Sequence, residues 1–219
     1  MSDRQPLTRD LVLQTAVDLV DELGFPALSM RTLGRRLGVE AMALYHHVPG
    51  KDALLDGIVE IVLAEVCSTA DDWREALREI AQHYREASRQ HPEIVMLSAT
   101  RRFSSPPWGR TTDDMLAAFR RGGFDPVGAV HGYRIVSAYM TGYVYGELRL
   151  QNAPSLREYL EHIDAETHPA LHELADELET VDRTSEYEFG LELVLDALER
   201  SSTGPARQKR STGSQRDRA

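Results

Sequence analysis

The chain is poor in the residues that staple, chelate or cross. Of its 219 residues only one is cysteine, Cys67, so neither an internal disulfide framework nor a zinc site of clustered thiolates is available. Lysine occurs only at Lys51 and Lys209. Basic residues number 25 against 35 acidic ones, a net charge of −10. A protein that coats nucleic acid non-specifically is usually basic, so that mode is disfavoured. Long apolar runs are missing: the longest uncharged stretch, between Arg134 and Glu147, holds twelve residues, against the roughly 20 a membrane-crossing helix needs. The opening MSDRQPLTRD lacks the apolar centre of a secretory signal. No stretch alternates as a strand does, and no repeat of solenoid length occurs. A Gly-rich phosphate loop, HExxH and GxSxG are all absent. These absences, with 42% hydrophobic and 27% charged residues, lead to the expectation of a soluble, cytoplasmic, all-α protein without a cofactor.

What is present is helical periodicity. Leu7, Leu11, Leu19 and Leu23, with Val12, Ala16 and Val20, form one broad apolar stripe that Gly24 and Pro26 close. Ser29 reads as the N-cap of a short helix over 30–37 ending at Gly38, and a second short helix fits 40–46. From Lys51 to Val66 a long amphipathic helix follows. Asp71 and Asp72, with Glu75, cap another bearing Trp73, Leu77, Ile80 and Tyr84. Pro92 starts a shorter helix. Ser104–Pro107 reads as a loop, with helices over 109–121 and 126–150 beyond it. Helical patterning returns at 156–165, 169–180 and around Tyr187–Leu198. Residues 201–219 contain no large apolar side chain and carry a net charge of +4, the composition of a disordered basic tail.

Residues 29–51, SMRTLGRRLGVEAMALYHHVPGK, have the organisation of a helix-turn-helix, whose second helix enters the DNA major groove. Gly34 gives the first helix a bare face for the second, and Gly38 supplies the turn. Leu33, Leu37, Val39 and Leu44 form the small core. Arg31, Arg35, Arg36 and Lys51 oppose only Glu40, so this segment is basic within an acidic protein. Local charge decides whether a phosphate backbone is attracted.

On these residues the chain resembles the tetracycline-repressor (TetR) family of bacterial transcription regulators. The likeness runs from the first helix through SMRTLGRRLGVEAMALYHHVPGKDALLDGIV, and its specific part is Leu-Tyr-x-His-Val followed by Lys-x-x-Leu-Leu. The resemblance implies a DNA-binding domain over 1–66 and a helical effector-binding and dimerisation domain over 67–200. It places base-reading positions on Arg31, Ala41, Met42 and Ala43. Phosphate-contact positions fall on Tyr45, His46, His47 and Lys51, with Ser29 or Thr32 as helpers. Arg31 suits a bidentate guanine contact. The implied partners are double-stranded DNA with a palindromic operator, a second copy of the chain and a small-molecule effector.

For the effector, the resemblance points to the helices over 71–150, with Tyr84, Met96, Phe103, Trp108, Phe119, His131, Arg134, Tyr139 and Tyr143 as candidates. The same aromatic stripe is equally what a helical core or a dimer seam requires. Gly142 and Gly146, with the apolar face of Leu191, Val194, Leu195 and Leu198, favour dimerisation. The family's drug-contacting histidine and asparagine fall on Cys67 and Ile80, and its metal-ligating histidine on Leu97. All three polar roles are lost, which argues for a more apolar effector than a magnesium–tetracycline complex. His162, His168 and His172 beside Asp164, Glu166 and Glu173 suggest a metal site, but Pro169 makes His168 an N-cap and the region reads as a solvated face. An all-α enzyme, or an interaction module keeping the helix-turn-helix as scaffold, is the alternative.

Overall fold

The computed structural model describes residues 6–100, 106–150 and 155–202, the side chains at 99–100 and 106–108 excepted. The basic tail from 203 onward therefore lies outside the described residues. Within them the secondary structure is helical, with no strand. Thr8 caps α1 (Arg9–Leu23) by accepting from the Leu11 amide. The apolar stripe of α1 is buried as its spacing requires: Val12, Leu13, Ala16, Val17, Leu19 and Val20 are almost wholly enclosed. A single 3₁₀ turn, Phe25–Ala27, leads to α2 (Met30–Leu37) and α3 (Ala41–Leu44). The helix α4 (Lys51–Leu63) then packs back along α1.

The larger part of the chain wraps around α5 (Trp73–Gln90), capped by Asp72, which accepts from the Arg74 and Glu75 amides. Against it lie α6 (Pro92–Thr100), α7 (Pro106–Arg121) and the long α8 (Pro126–Leu150). Of the loop expected at 104–107, Ser104 and Ser105 lie outside the described residues, while Pro106 and Pro107 open α7. The first turn of a helix needs no amide donor, so proline is tolerated there. A capping box on Ser155 and Glu158 starts α9 (Leu156–Leu160). It is followed by α10 (Pro169–Glu173) and α11 (Ala175–Thr180), so the helices expected at 156–165 and 169–180 are shorter and broken. These three pieces contact chiefly one another. The last helix, α12 (Arg183–Ser202), packs on α8.

Two kinds of cement hold this larger part together. Trp73, Phe119 and Phe124 form an aromatic cluster with ring centroids 5.1–5.9 Å apart. Tyr139, Tyr143 and Tyr187 form a second, and Tyr187 donates to the Ala81 carbonyl at 2.9 Å. Into this second cluster projects Arg85, only 5% exposed, paired bidentately with Glu147 at 2.8 and 2.6 Å. The hydrogen bonds it donates to that carboxylate favour its charged form and raise its pKa. Along the outer side of α5, Arg74 reaches Glu192, Asp196 and Glu199, while Arg78 grips Glu192.

Apart from the packing of α4, polar contacts connect the two parts. His91 and Asp21 lie 2.7 Å apart, and the Phe25 amide donates to Glu93 at 3.1 Å. The start of α6 is thereby fastened to the end of α1.

Candidate nucleic-acid interface and effector cavity

The helix-turn-helix is assembled from backbone contacts. Ser29 caps α2, its Oγ accepting from the Thr32 amide at 3.1 Å and lying 2.8 Å from Thr32 Oγ1. Gly38 ends α2 with φ 68° and ψ 33°, the left-handed region where glycine carries no Cβ penalty. A Cβ on Gly34 would sit 2.8 Å from the Val39 carbonyl and 3.2 Å from the Ala41 nitrogen. Only a bare α-carbon allows α3 to lie so close, and that closeness determines which side of α3 faces outward. Leu33, Leu44 and Val48 close the space beneath.

The outward side carries most of the residues predicted to touch DNA. Arg31, His46 and Lys51 are exposed, as are Met42 at 73% and Tyr45 at 43%. Ala41, Ala43 and His47 are half-buried, as is Thr32, while Ser29 is exposed. Arg31, Arg35 and Lys51 form no ion pair among the described residues, leaving their charge for an outside anion. Arg36 differs: both of its terminal nitrogens bond Glu22, one at 2.7 Å. Those bonds hold the Glu22 carboxyl below its ordinary range. The sequence carries no signal for this pair, since its members lie fourteen residues apart on different helices.

A cavity lies between the two parts, with about 580 Å3 of empty space, some of it continuous with solvent. The end of α4 contributes Leu63, with Val66 just beyond it; α5 and α6 supply Tyr84 and Ser98. Thr111, Thr112 and Met115 come from α7, and Tyr133, Ser137, Met140 and Thr141 from α8. Of the candidates expected for the effector, Tyr84 is on this wall. The others are elsewhere or outside the description. Phe119 is fully buried within the first aromatic cluster. His131 and Arg134 are exposed on α8 and do not line the cavity. Tyr139 and Tyr143 bind α8 to α12, donating to the Tyr187 and Arg183 carbonyls at 2.7 Å each. Met96 is half-buried but does not line the cavity. Phe103 and the side chain of Trp108 lie outside the described residues. The hydroxylated lining escaped the sequence reading. Its signal was Tyr133, Ser137, Met140 and Thr141 at helical spacing beside the buried stripe Ala129, Gly132, Val136, Met140 and Val144.

The expected dimer face on α12 is also displaced. Leu191, Leu195 and Leu198 are buried against their own subunit, because they continue the stripe of Tyr187. The exposed apolar side chains of α12 are Phe189 and Leu193, and α8 exposes Val127, Val130, Ile135, Tyr145 and Leu150. Open space faces Gly142 and Gly146. Among the described residues no cluster of three or more histidine, cysteine or carboxylate side chains could hold a metal. His162 and His172 instead lie within bonding distance of the Glu158 and Ile163 carbonyls. Nor is any described helix long and apolar enough to cross a membrane.

The sequence pattern described as "Bacterial regulatory proteins, tetR family" matches residues 12–58, and that of the "Tetracyclin repressor-like, C-terminal domain" matches 68–201. The chain belongs to the TetR family. It is 31% identical over 203 residues to the class A tetracycline repressor from transposon 1721 of Escherichia coli, covering 90% of this chain and 92% of that one. The class G repressor of Vibrio anguillarum is 30% identical over 205 residues, with 89% and 94% covered. Among solved structures, ActR of Streptomyces coelicolor in complex with actinorhodin superposes with a TM-score of 0.76 at 27% identity, over 91% of this chain and all of that one. As a TetR family member the protein is a DNA-binding transcription regulator that acts as a homodimer and responds to small molecules.

Proposed function

We propose that this chain is a repressor released from a palindromic operator when a small, largely apolar molecule enters the cavity between α4 and α8. Residues 1–66 serve as the reader and 67–200 as the sensor and dimerisation unit, working in the cytoplasm and without catalysis. Arg31, Ala41, Met42 and Ala43 read bases; Tyr45, His46, His47 and Lys51 hold phosphates, with Ser29 and Thr32 setting the start of α2. The dimer seam is assigned to the apolar sides of α8 and α12 left exposed on one subunit.

One observation carries the proposal: α4 has a foot in each site. Its first residue is Lys51, beside the reader, and its last, Leu63, lines the cavity. Just past it, the Val66 carbonyl accepts from Thr111 Oγ1 at 2.9 Å. A ligand that displaces Leu63 or Val66 tilts a helix whose other end sets the reader's position. Two half-sites at fixed spacing tolerate no such tilt. A coupling of about 1–3 kcal/mol weakens operator binding roughly 5–150-fold, and linkage weakens ligand binding by the same factor.

Neither a tetracycline nor a magnesium ion is assigned as effector. The positions that correspond to the repressor's polar ligands are Cys67, Ile80 and Leu97, none of which lines the cavity. Fluorescence anisotropy with labelled DNA from the gene's own upstream region tests the proposal. Sequence-selective, salt-sensitive binding that a cavity ligand reverses is expected. Ligands whose affinity is unchanged by saturating operator would overturn it.

A further inference from the structure

The side chains of α3, Ala41–Leu44, offer a base edge almost nothing to hydrogen-bond with. Leu44 is fully buried. Ala41 and Ala43 are half-buried, and side chains of one carbon let the backbone of α3 approach its target closely. Met42 stands in solvent: at 73% it is the most exposed of the large apolar side chains among the described residues. Its only side-chain heteroatom is a thioether sulfur, a weak acceptor. The Ala41 backbone packs against the bare α-carbon of Gly34, so rolling α3 to bury Met42 would break that seat. The exposed methionine is built in.

In the major groove every base pair presents hydrogen-bonding groups, and a pair containing thymine adds one apolar group, the 5-methyl. A methionine laid over the donors and acceptors leaves them with neither water nor a partner, which is costly. Laid over the methyl it leaves no polar atom unpaired, and two apolar surfaces leave water together. Burying one carbon of that size is worth roughly fourfold in affinity. We propose that Met42 selects operators by covering a thymine 5-methyl group in each half-site. Identity at that base pair is then read by an apolar contact instead of a hydrogen bond. The proposal rests on the reading of α3 as the helix that enters the major groove.

Selection of tight-binding duplexes from a random library, with the full-length dimer as bait, supplies the operator. Each thymine is then replaced, in both half-sites at once, by deoxyuridine, which removes the methyl and keeps every hydrogen-bonding group. Anisotropy titrations are expected to show one thymine position where the replacement weakens binding roughly tenfold, since two methyls are lost. Met42→Ala should weaken binding of the thymine duplex and bind both duplexes within twofold of each other. Met42→Leu, apolar but without sulfur, should keep a penalty above fivefold. Because Met42 is exposed, both variants are expected to retain the wild-type thermal midpoint. The proposal is overturned if no replacement costs more than twofold. A full penalty that persists in Met42→Ala also overturns it, because the methyl then faces another side chain such as Glu40, Tyr45 or His46. Loss of the penalty in Met42→Leu does the same by pointing to a hydrogen bond at sulfur. Recovery of no preferred sequence at all overturns the reading of α3 as the reader, and the proposal with it.

Discussion

The reader and the sensor are built from opposite materials. Beneath α1–α4 the buried side chains are aliphatic apart from Thr15, from Val12 and Leu13 to Leu54, Ile58 and Val59. The charged pairs there, Arg9 with Glu60 and Arg36 with Glu22, lie on the surface. The sensor instead buries an arginine against the rings of Tyr143 and Tyr187 and clamps α5 to α12 with a row of carboxylates. An aliphatic core has few geometric demands beyond volume and shape, so it makes a compact unit that can move as one piece. Buried polar networks demand particular partners at particular distances, and so hold the sensor helices in one arrangement. The contrast suits a rigid receptor that passes strain to a unit joined through α4 and a few polar contacts.

Removing charge in the two regions should sharpen that contrast most. Arg85→Ala leaves Glu147, 12% exposed, without its bidentate partner; loss of one member of a buried pair costs about 3–5 kcal/mol. We expect a fall in thermal midpoint of at least 6 °C, at about 2–4 °C per kcal/mol for a chain of this size. Restoring apolar complementarity with Arg85→Met and Glu147→Leu should recover most of it. Arg36→Ala in the reader should leave the midpoint where it was. Equal shifts from Arg85→Ala and Arg36→Ala, followed by circular dichroism, would erase the distinction.

The next largest effect lies in the reader. Gly34→Val drives a branched side chain into the Val39 carbonyl and the Ala41 backbone, which cannot step aside as a side-chain end can. Overpacking of this kind costs about 1–3 kcal/mol and rotates α3 away from its seat. Operator affinity should drop more than a hundredfold while the sensor keeps its ligand. Wild-type operator binding in this variant would show that the close approach of α2 and α3 does not position the reading face.

These two regions were unequally legible in the sequence. The cap on Ser29, the turn at Gly38 and the bare face at Gly34 all act within ten residues, so their residue types announce them. The cavity draws on five helices and on positions from Leu63 to Thr141. Thr111 and Ser137 look like ordinary polar residues until the fold brings them to one wall. Conspicuous aromatics misled for the same reason: Tyr139, Tyr143 and Phe119 are large, and large rings are recruited to the core first. Leu191, Leu195 and Leu198 spaced like a seam were a core stripe, since periodicity reports that a face is buried but not against what.

Within the reader a smaller division remains to be tested. Arg31→Ala should cost about 1–3 kcal/mol on the cognate operator and relax preference at one base pair in each half-site. Lys51→Ala should weaken cognate and random DNA alike and lower the salt slope by about one. Anisotropy titrations at several salt concentrations separate the two. If both substitutions lose affinity equally on every sequence, the split between base reader and phosphate anchor fails.

The smallest expected effect concerns the clamp between α5 and α12. Hydrogen bonds from Arg78 and then Arg74 lower the Glu192 carboxyl from about 4.5 to about 2. A carboxylate whose pKa is lower when folded stabilises the fold above its unfolded value. As pH falls from about 4.5 toward 2, the unfolded chain binds the proton first, and the contribution drains away. Glu192 is 38% exposed, so solvent screens the pair and the contribution is modest. Glu192→Gln should accordingly lower the thermal midpoint slightly at pH 6, and the gap from the wild type should close as the pH is brought to about 2.5. A gap that stays constant across that range would mean that the glutamate contributes through packing rather than charge. The sensor's outer clamp would then resemble the reader's core after all.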